Sequence, residues 1–155
     1  MSEFVFAHSS KHFNDALSLF KEYAEWLGID LSFQNFDKEI KEIEKTYASP
    51  KGCVIIAYMN TVAIGCVAVK PIGERISELK RMYVKPAYQH NGIGQTLLNM
   101  SLNFALDAGY EKIRLDTLEH MTPAMNLYQK NGFYQIPAYY FNPEKNAVYF
   151  EKLLC

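Results

Sequence analysis

Leu79-Lys80-Arg81-Met82-Tyr83-Val84-Lys85-Pro86, followed closely by Gln89-His90-Asn91-Gly92-Ile93-Gly94, decides the fold of this chain. The first part is an apolar strand, and Pro86 stops it by withholding the next backbone donor. Beyond the two glycines, Ile93, Leu97, Met100, Phe104 and Ala108 recur at helical spacing. A strand therefore runs through a two-glycine turn into an amphipathic helix. Residues without Cβ atoms leave the turn's backbone N–H groups uncovered. Those amides and the positive end of the helix dipole together make a site for an anion, typically a phosphate.

The residues around the glycines sort the phosphate ligands. A P-loop needs Lys and Ser/Thr after its second glycine to meet the terminal phosphates and magnesium. Here Gln95-Thr96 follow, and the next lysine is Lys112. A dinucleotide fingerprint needs a third glycine, where this chain has Leu97, and it opens the first βα unit of a domain. A third pattern, Gln/Arg-x-x-Gly-x-Gly/Ala after a strand ending in Val-x-Pro, is matched throughout from Gln89 to Gly94. Taken alone the hexapeptide also suits an ordinary tight turn between strand and helix.

Its surroundings give it meaning. Glu78-Leu79-Lys80-Arg81-Met82-Tyr83-Val84 leads into the turn, and Ala124-Met125-Asn126-Leu127-Tyr128-Gln129-Lys130-Asn131-Gly132-Phe133 follows about thirty residues later. With these segments the chain resembles the GNAT superfamily of acyl-CoA-dependent N-acyltransferases. The resemblance is dense from Glu78 to Phe133, about a third of the chain, and elsewhere holds only in the order of elements.

That resemblance implies acetyl-CoA as co-substrate. Its pyrophosphate would lie on the amides of Gln89, His90, Asn91, Gly92, Ile93, Gly94 and Gln95, with the Thr96 hydroxyl beside them. Its pantetheine arm would run like an added strand against the backbone of Met82, Tyr83 and Val84, a form of β-augmentation. Asn126 would bond the same arm. Tyr128 would touch the sulfur and return a proton to the leaving thiolate, a transfer helped by similar phenol and thiol acidities, about 10 and about 8.5.

Glu78 is the candidate general base, acting directly or through a water, because burial on a strand would raise its pKa toward a useful range. The bland alternatives are a solvent-facing glutamate paired with Lys80 or Arg81, and a Tyr128 that merely packs beside Ala124 and Leu127. The implied activity is N-acetyl transfer to a small-molecule or amino-acid-like amine, by direct attack in a ternary complex. Two other readings fit the same motifs: an acyl-CoA-binding module without catalysis, and an acyltransferase acting on a protein or peptide amine or using a longer acyl group. A homodimer through the C-terminal strands is a further implication by analogy.

Composition narrows the classes. At 155 residues the chain is expected to form one domain, 1–155, with a sizeable core. Eleven tyrosines and ten phenylalanines suit a core or cleft lined with aromatics. A net charge of −1 argues against nucleic acid or an anionic membrane recognised by bulk electrostatics. Cys53, Cys66 and Cys155 are unpatterned and read as reduced thiols, which with the absence of a leader or spanning segment suggests a cytoplasmic protein. His8, His12, His90 and His120 are scattered and no third ligand joins the first two, so no metal is expected. Cys66 has no neighbouring base, which disfavours an acyl-cysteine route.

Along the chain, Phe4-Val5-Phe6 reads as a strand, and Ser9 or Ser10 opens a helix that Gly28 ends. Phe36, Ile40, Ile43 and Tyr47 mark a second helix. Cys53 to Met59 and Val62 to Val69 form a hairpin around Asn60-Thr61, and Pro71-Ile72-Gly73 turns the chain into Ile76 to Val84. The helix after the glycine turn closes at Gly109. Residues 112–117 alternate as a strand parallel to the one before the turn, and Thr122-Pro123 starts a helix that Gly132 ends. Tyr139 to Phe141 and Val148 to Leu153 read as a final hairpin, in which the tyrosines rim an acceptor pocket, make an oligomer contact or pack on the sheet. The order β-α-α-β-β-β-α-β-α-β-β predicts an α/β (α+β) fold: a mixed sheet with helices on both faces and, by the resemblance, parallel strands that splay at the coenzyme site.

Overall fold

The computed structural model describes residues 2–28, 30–31 and 35–154; Cys155 lies outside them. Strand β1 is Ser2–Phe6 and helix α1 is Ser10–Leu27. The Ser9 hydroxyl caps α1 by accepting from the His12 amide, and Gly28 closes it at φ 70°. The expected second helix is two short ones, α2 (Phe36–Lys41) and α3 (Ile43–Thr46). Glu42 between them leaves helical geometry at φ −123°, and beyond the break Tyr47 lies over Glu39 and donates to it at 2.7 Å.

Strands β2 (Cys53–Met59), β3 (Val62–Gly73) and β4 (Ile76–Val84) form an antiparallel meander, followed by helix α4 (Ile93–Asp107). Then come β5 (Lys112–Leu118), α5 (Thr122–Lys130), β6 (Tyr134–Ile136) and β7 (Ala147–Leu153). One sheet holds all seven strands in the order β1-β2-β3-β4-β5-β7-β6. Only β4 and β5 pair in parallel.

Two boundaries differ from those expected. Strand β3 runs on through Pro71 to Gly73, and the turn falls at Glu74-Arg75, with Arg75 at φ 60°. Pairing with β2 ends at Val69, so Pro71 sits on an edge, where a missing donor is tolerated. Tyr139 to Phe141 is not a strand. Pro137 follows β6, and the segment after it folds back over the sheet, where the Tyr139 hydroxyl reaches Glu78 on β4.

The sheet separates two cores. Leu97 and Leu98 of α4 pack on Ile55, Val67, Leu79, Ile113 and Phe150. Leu19 and Phe20 of α1 pack with Ile43 on Val54, Ile56, Cys66 and Tyr83. Strands β2 and β3 are therefore covered on both faces, which accounts for their nearly unbroken apolar runs.

Strand β4 carries the irregularity that matters most. Lys80 stands opposite Ala68 but Tyr83 stands opposite Cys66, so β4 holds one more residue than β3 across this interval. The surplus is a β-bulge in which Arg81 takes φ 57°. The Arg81 side chain makes a buried fork with Glu39, Nη2 to Oε1 at 2.6 Å and Nε to Oε2 at 3.0 Å. The Phe36 ring lies 5.1 Å from the guanidinium carbon, and the Cys66 thiol donates to the Arg81 carbonyl at 3.3 Å. Pairing between β4 and β5 stops at Glu78 and Arg114. Past that point the two strands part.

Burial pushes the Glu39 carboxyl up, but hydrogen bonds from Arg81 and Tyr47, with the Arg81 charge, pull it below the ordinary value of 4.5. Its stabilising effect is whole above that value and is lost as pH falls through the lower folded-state pKa. Arg81→Met leaves a buried carboxylate without its guanidinium and is expected to cost about 3–5 kcal/mol. Urea unfolding at pH 7 checks this. The wild-type midpoint should also fall below pH 4.5, and the variant should lose part of that acid sensitivity.

Candidate active site

Where β4 and β5 part, the molecule opens into a cavity of about 790 Å³. One wall is β4 itself, at Met82, Tyr83 and Val84. The other is α5, at Pro123, Ala124, Leu127 and Lys130, and Trp26 of α1 stands at its edge. The floor is the turn into α4. There Gln89, His90, Gly92, Gly94 and Gln95 line the cavity.

The turn builds an amide cradle. His90 and Gly92 take φ 71° and 79°. No side chain caps α4, whose first backbone bond runs from the Thr96 amide to the Gly92 carbonyl. The amides of Ile93, Gly94 and Gln95 thus have no acceptor among the described residues, at the positive end of a fifteen-residue helix.

Side chains around this cradle mostly brace it. The Gln89 amide group donates to the Val84 carbonyl at 2.9 Å and ties the turn to β4. The Thr96 hydroxyl bonds the Gly92 carbonyl at 3.1 Å. Gln95 and Asn131 exchange hydrogen bonds at 2.8 and 3.1 Å, clipping the start of α4 to the end of α5. Ile93 is buried in the core. Asn91 and Asn126 are exposed and line none of the three cavities. Of the residues expected at the donor site, Asn91, Ile93, Thr96 and Asn126 therefore line none of these cavities with their side chains. Asn131, His120, Met121 and Lys130 belong to the site or its bracing without having been expected; their only signal was position within or beside the α5 motif.

Two smaller chambers of about 30 Å³ each adjoin the main cavity, one sharing Leu27 and Met121 with it and the other Met82, Met121 and Ala124. Tyr23, Arg81, Asp116, Thr117 and Met121 line both. Lys80 and Asn142 join the lining of one of them, Met82 and Tyr128 that of the other. Tyr128 packs its ring 5.6 Å from Phe133 and 6.4 Å from Phe150. Burial, with Tyr23 and Asp116 nearby, pushes its phenol well above the ordinary value. No described residue bonds its hydroxyl, which does not count as a buried orphan, so it opens onto the chamber. The Tyr128 ring belongs to the core, and its oxygen faces the chamber.

Glu78 is buried, but it lines none of these cavities. The Tyr139 hydroxyl donates to it at 2.7 Å, and the Lys80 and Lys70 ammonium groups stand at 3.8 and 4.0 Å. Asp116 faces the chambers instead, holding a hydrogen bond from Tyr140. Tyr139, Tyr140 and Tyr149 pack edge to face at 5.4–5.7 Å over this end of the sheet.

Comparison with known proteins decides the lineage. Residues 15–133 match the model of the Acetyltransferase (GNAT) family. The chain belongs to that family. An uncharacterised N-acetyltransferase of Schizosaccharomyces pombe is 37% identical over 138 residues, 88% of this chain and 85% of that one. A GNAT-family acetyltransferase of Staphylococcus aureus superposes with a TM-score of 0.83 at 19% identity, over 100% of both chains. The PaiA N-acetyltransferase of Thermoplasma acidophilum, solved in complex with coenzyme A, superposes at 0.77 with 22% identity over 99% of both. These structures share the fold with the present GNAT protein, and the family makes it an N-acetyltransferase.

The two described cysteines of this acetyltransferase stand outside the chemistry. Cys53 and Cys66 are free and buried. Burial pushes the Cys53 thiol up to about 12 and the Cys66 thiol higher still, so neither forms a thiolate nucleophile at neutral pH. Native protein at pH 8 is expected to leave both unalkylated by iodoacetamide while unfolded protein reacts fully. Peptide mapping that finds Cys66 labelled in the native state would reopen an acyl-cysteine route.

Proposed function

We propose that the protein transfers an acetyl group from acetyl-CoA to a small-molecule amine by direct attack in a ternary complex. The observation that carries this reading is the joint presence of an amide cradle and an unpaired strand face on one cavity. The amides of Ile93, Gly94 and Gln95 suit a pyrophosphate. The backbone of Met82, Tyr83 and Val84, parted from β5, suits the amide groups of a pantetheine arm. At about 790 Å³ the space is within the range of ligand pockets, roughly 300–1,000 Å³. The Lys130 side chain adds positive charge at the cradle end.

When bound, acetyl-CoA supplies the activated acetyl group as a thioester. The chain's own residues orient and protonate. Strand β4 offers backbone N–H groups along the arm, one of which can face the developing oxyanion. Tyr128 stands at the inner end and returns a proton to sulfur as the carbon–sulfur bond breaks. Its raised pKa keeps the phenol protonated at neutral pH, the form a general acid needs. Glu78 lies beside Lys80 of the chamber wall and accepts from the Tyr139 hydroxyl; it is the candidate general base, acting through a water. The reduced Cys53 and Cys66 suit a cytoplasmic setting.

Calorimetric titration with acetyl-CoA is expected to give saturable binding below millimolar concentration. Tyr128→Phe should lower kcat by about 10²-fold with coenzyme affinity unchanged. An unchanged kcat removes Tyr128 from the acid role. Binding of acetyl-CoA without thiol release across an amine panel would make the protein a binding module.

A further inference from the structure

The clamp on β4 reaches the proposed donor site from a helix that lines none of the three cavities. Glu39 stands on α2, 6% exposed, and its two oxygens accept from Nη2 and Nε of Arg81. Tyr47, beyond α3, donates to the same carboxylate. Arg81 is the bulged residue of β4, and Met82, Tyr83 and Val84 follow it directly along the wall of the main cavity. The fork therefore grips the chain immediately before the backbone that a pantetheine arm would pair with.

Strand geometry says what the bulge does to that backbone. From Lys80 to Tyr83 strand β4 takes three steps, while β3 takes two, from Ala68 to Cys66. Along a strand, residues alternate between pairing with the neighbour on one edge and pointing their N–H and C=O groups to the other. One added residue exchanges the two sets. With Arg81 in extended backbone, residues 82–84 would slip by one position against β3. Their side chains would change faces, and the groups now free toward the gap would turn toward β3. The φ of 57° at Arg81 is thus what aims the free backbone groups into the cavity. Arginine has a Cβ that opposes this conformation, so its surroundings have to hold it.

On the acetyl-transfer reading above, we propose that Glu39 is a positioning residue for acetyl-CoA binding: by gripping Arg81 it holds the β4 bulge and keeps residues 82–84 in register for the pantetheine arm. It touches neither donor nor acceptor and acts on coenzyme affinity. Helix α2 is itself anchored, since Phe36 lies on the guanidinium at 5.1 Å and Ile40 packs against the α1 core. The coupling is reciprocal. A coenzyme that pairs only with the bulged strand favours, in turn, the state in which α2 is docked on Arg81.

Two variants separate this role from a merely structural one. Both carry Glu39→Leu and Tyr47→Phe, so neither a buried charge nor a buried hydroxyl loses its partner. To these the first adds Arg81→Leu, an apolar replacement of the kind that buried ion pairs commonly tolerate. The second adds Arg81→Gly, and glycine takes positive φ without strain. The whole Arg81 side chain is gone from both, so they differ only in how readily they form the bulge. Calorimetric titration should give the first variant a Kd for acetyl-CoA about tenfold or more above wild type. The second should stay within about threefold of wild type. Wild-type affinity in the first variant, or equal loss in the two, overturns the assignment.

Hydrogen exchange on wild-type protein reads the reciprocal effect and needs no variant to fold. Saturating acetyl-CoA should slow amide exchange in residues 36–41 by about threefold or more while leaving β1 unchanged. Exchange in α2 that ignores the coenzyme overturns the assignment. Wild-type protein that binds no acetyl-CoA would instead overturn the acetyl-transfer reading itself.

Discussion

The opening in this sheet depends on an arginine held in a left-handed backbone conformation. A side chain other than glycine at φ 57° costs of order 1–3 kcal/mol. Such a residue persists only when its surroundings over-determine it. Here the Glu39 fork, the Tyr47 hydroxyl on the same carboxylate, the Phe36 face and the Cys66 thiol on the Arg81 carbonyl all converge. Buried ion pairs contribute little net stability, because both charges give up water. What this pair supplies is a fixed bulge. The bulge bends β4, and its bend follows directly on the point where β4 leaves β5.

Everything chemical follows from that parting. A parallel pair that closed fully would use the β4 backbone on both sides and leave no cavity. Once open, the strand presents Met82 to Val84, the helix after the turn presents its first amides, and α5 supplies Tyr128 as the far wall. The same clamp puts Arg81 on the wall of both inner chambers with its charge already matched. Deformation and the proposed function therefore share residues, and the short helices α2 and α3, which line none of the three cavities described, matter because they carry Glu39 and precede Tyr47.

The local parts of this arrangement were legible in the chain. Caps at Ser9 and Gly28, the turn at Asn60-Thr61 and the glycine turn at residues 89–94 rest on neighbours in sequence and on backbone geometry. What escaped reading depends on distant pairs. Glu39 and Arg81 are 42 positions apart, and Tyr139 and Glu78 are 61. Tyr139 to Phe141 looked like a strand because aromatics favour strands, but Pro137 had already ended the ladder. Lys112, Arg114 and Asp116 alternate with apolar residues, and nothing in that alternation marks one of them as lining a cavity. The segment after β6 folds over that face, where Tyr140 bonds Asp116, and Asp116 lines both smaller chambers.

The two halves of the site are accordingly written in different alphabets. The proposed donor half is recognised by backbone: free amides, a strand edge and two residues at positive φ. Such features leave a compact signature, because glycine and the turn sequence are what the geometry demands. The proposed acceptor half would be recognised by side chains from α1, β4, β5, α5 and the segment before β7, which topology brings together around the two smaller chambers. No short window of sequence can hold it. That asymmetry explains why the donor could be inferred from the short stretches 78–84, 89–94 and 124–133, whereas an acceptor space comes into view only with the Arg81 bulge, the parted strands and the folded-back tyrosines together. Any change to the bulge should therefore disturb both halves, since the backbone that would hold the donor and the wall that would face the acceptor are the same strand.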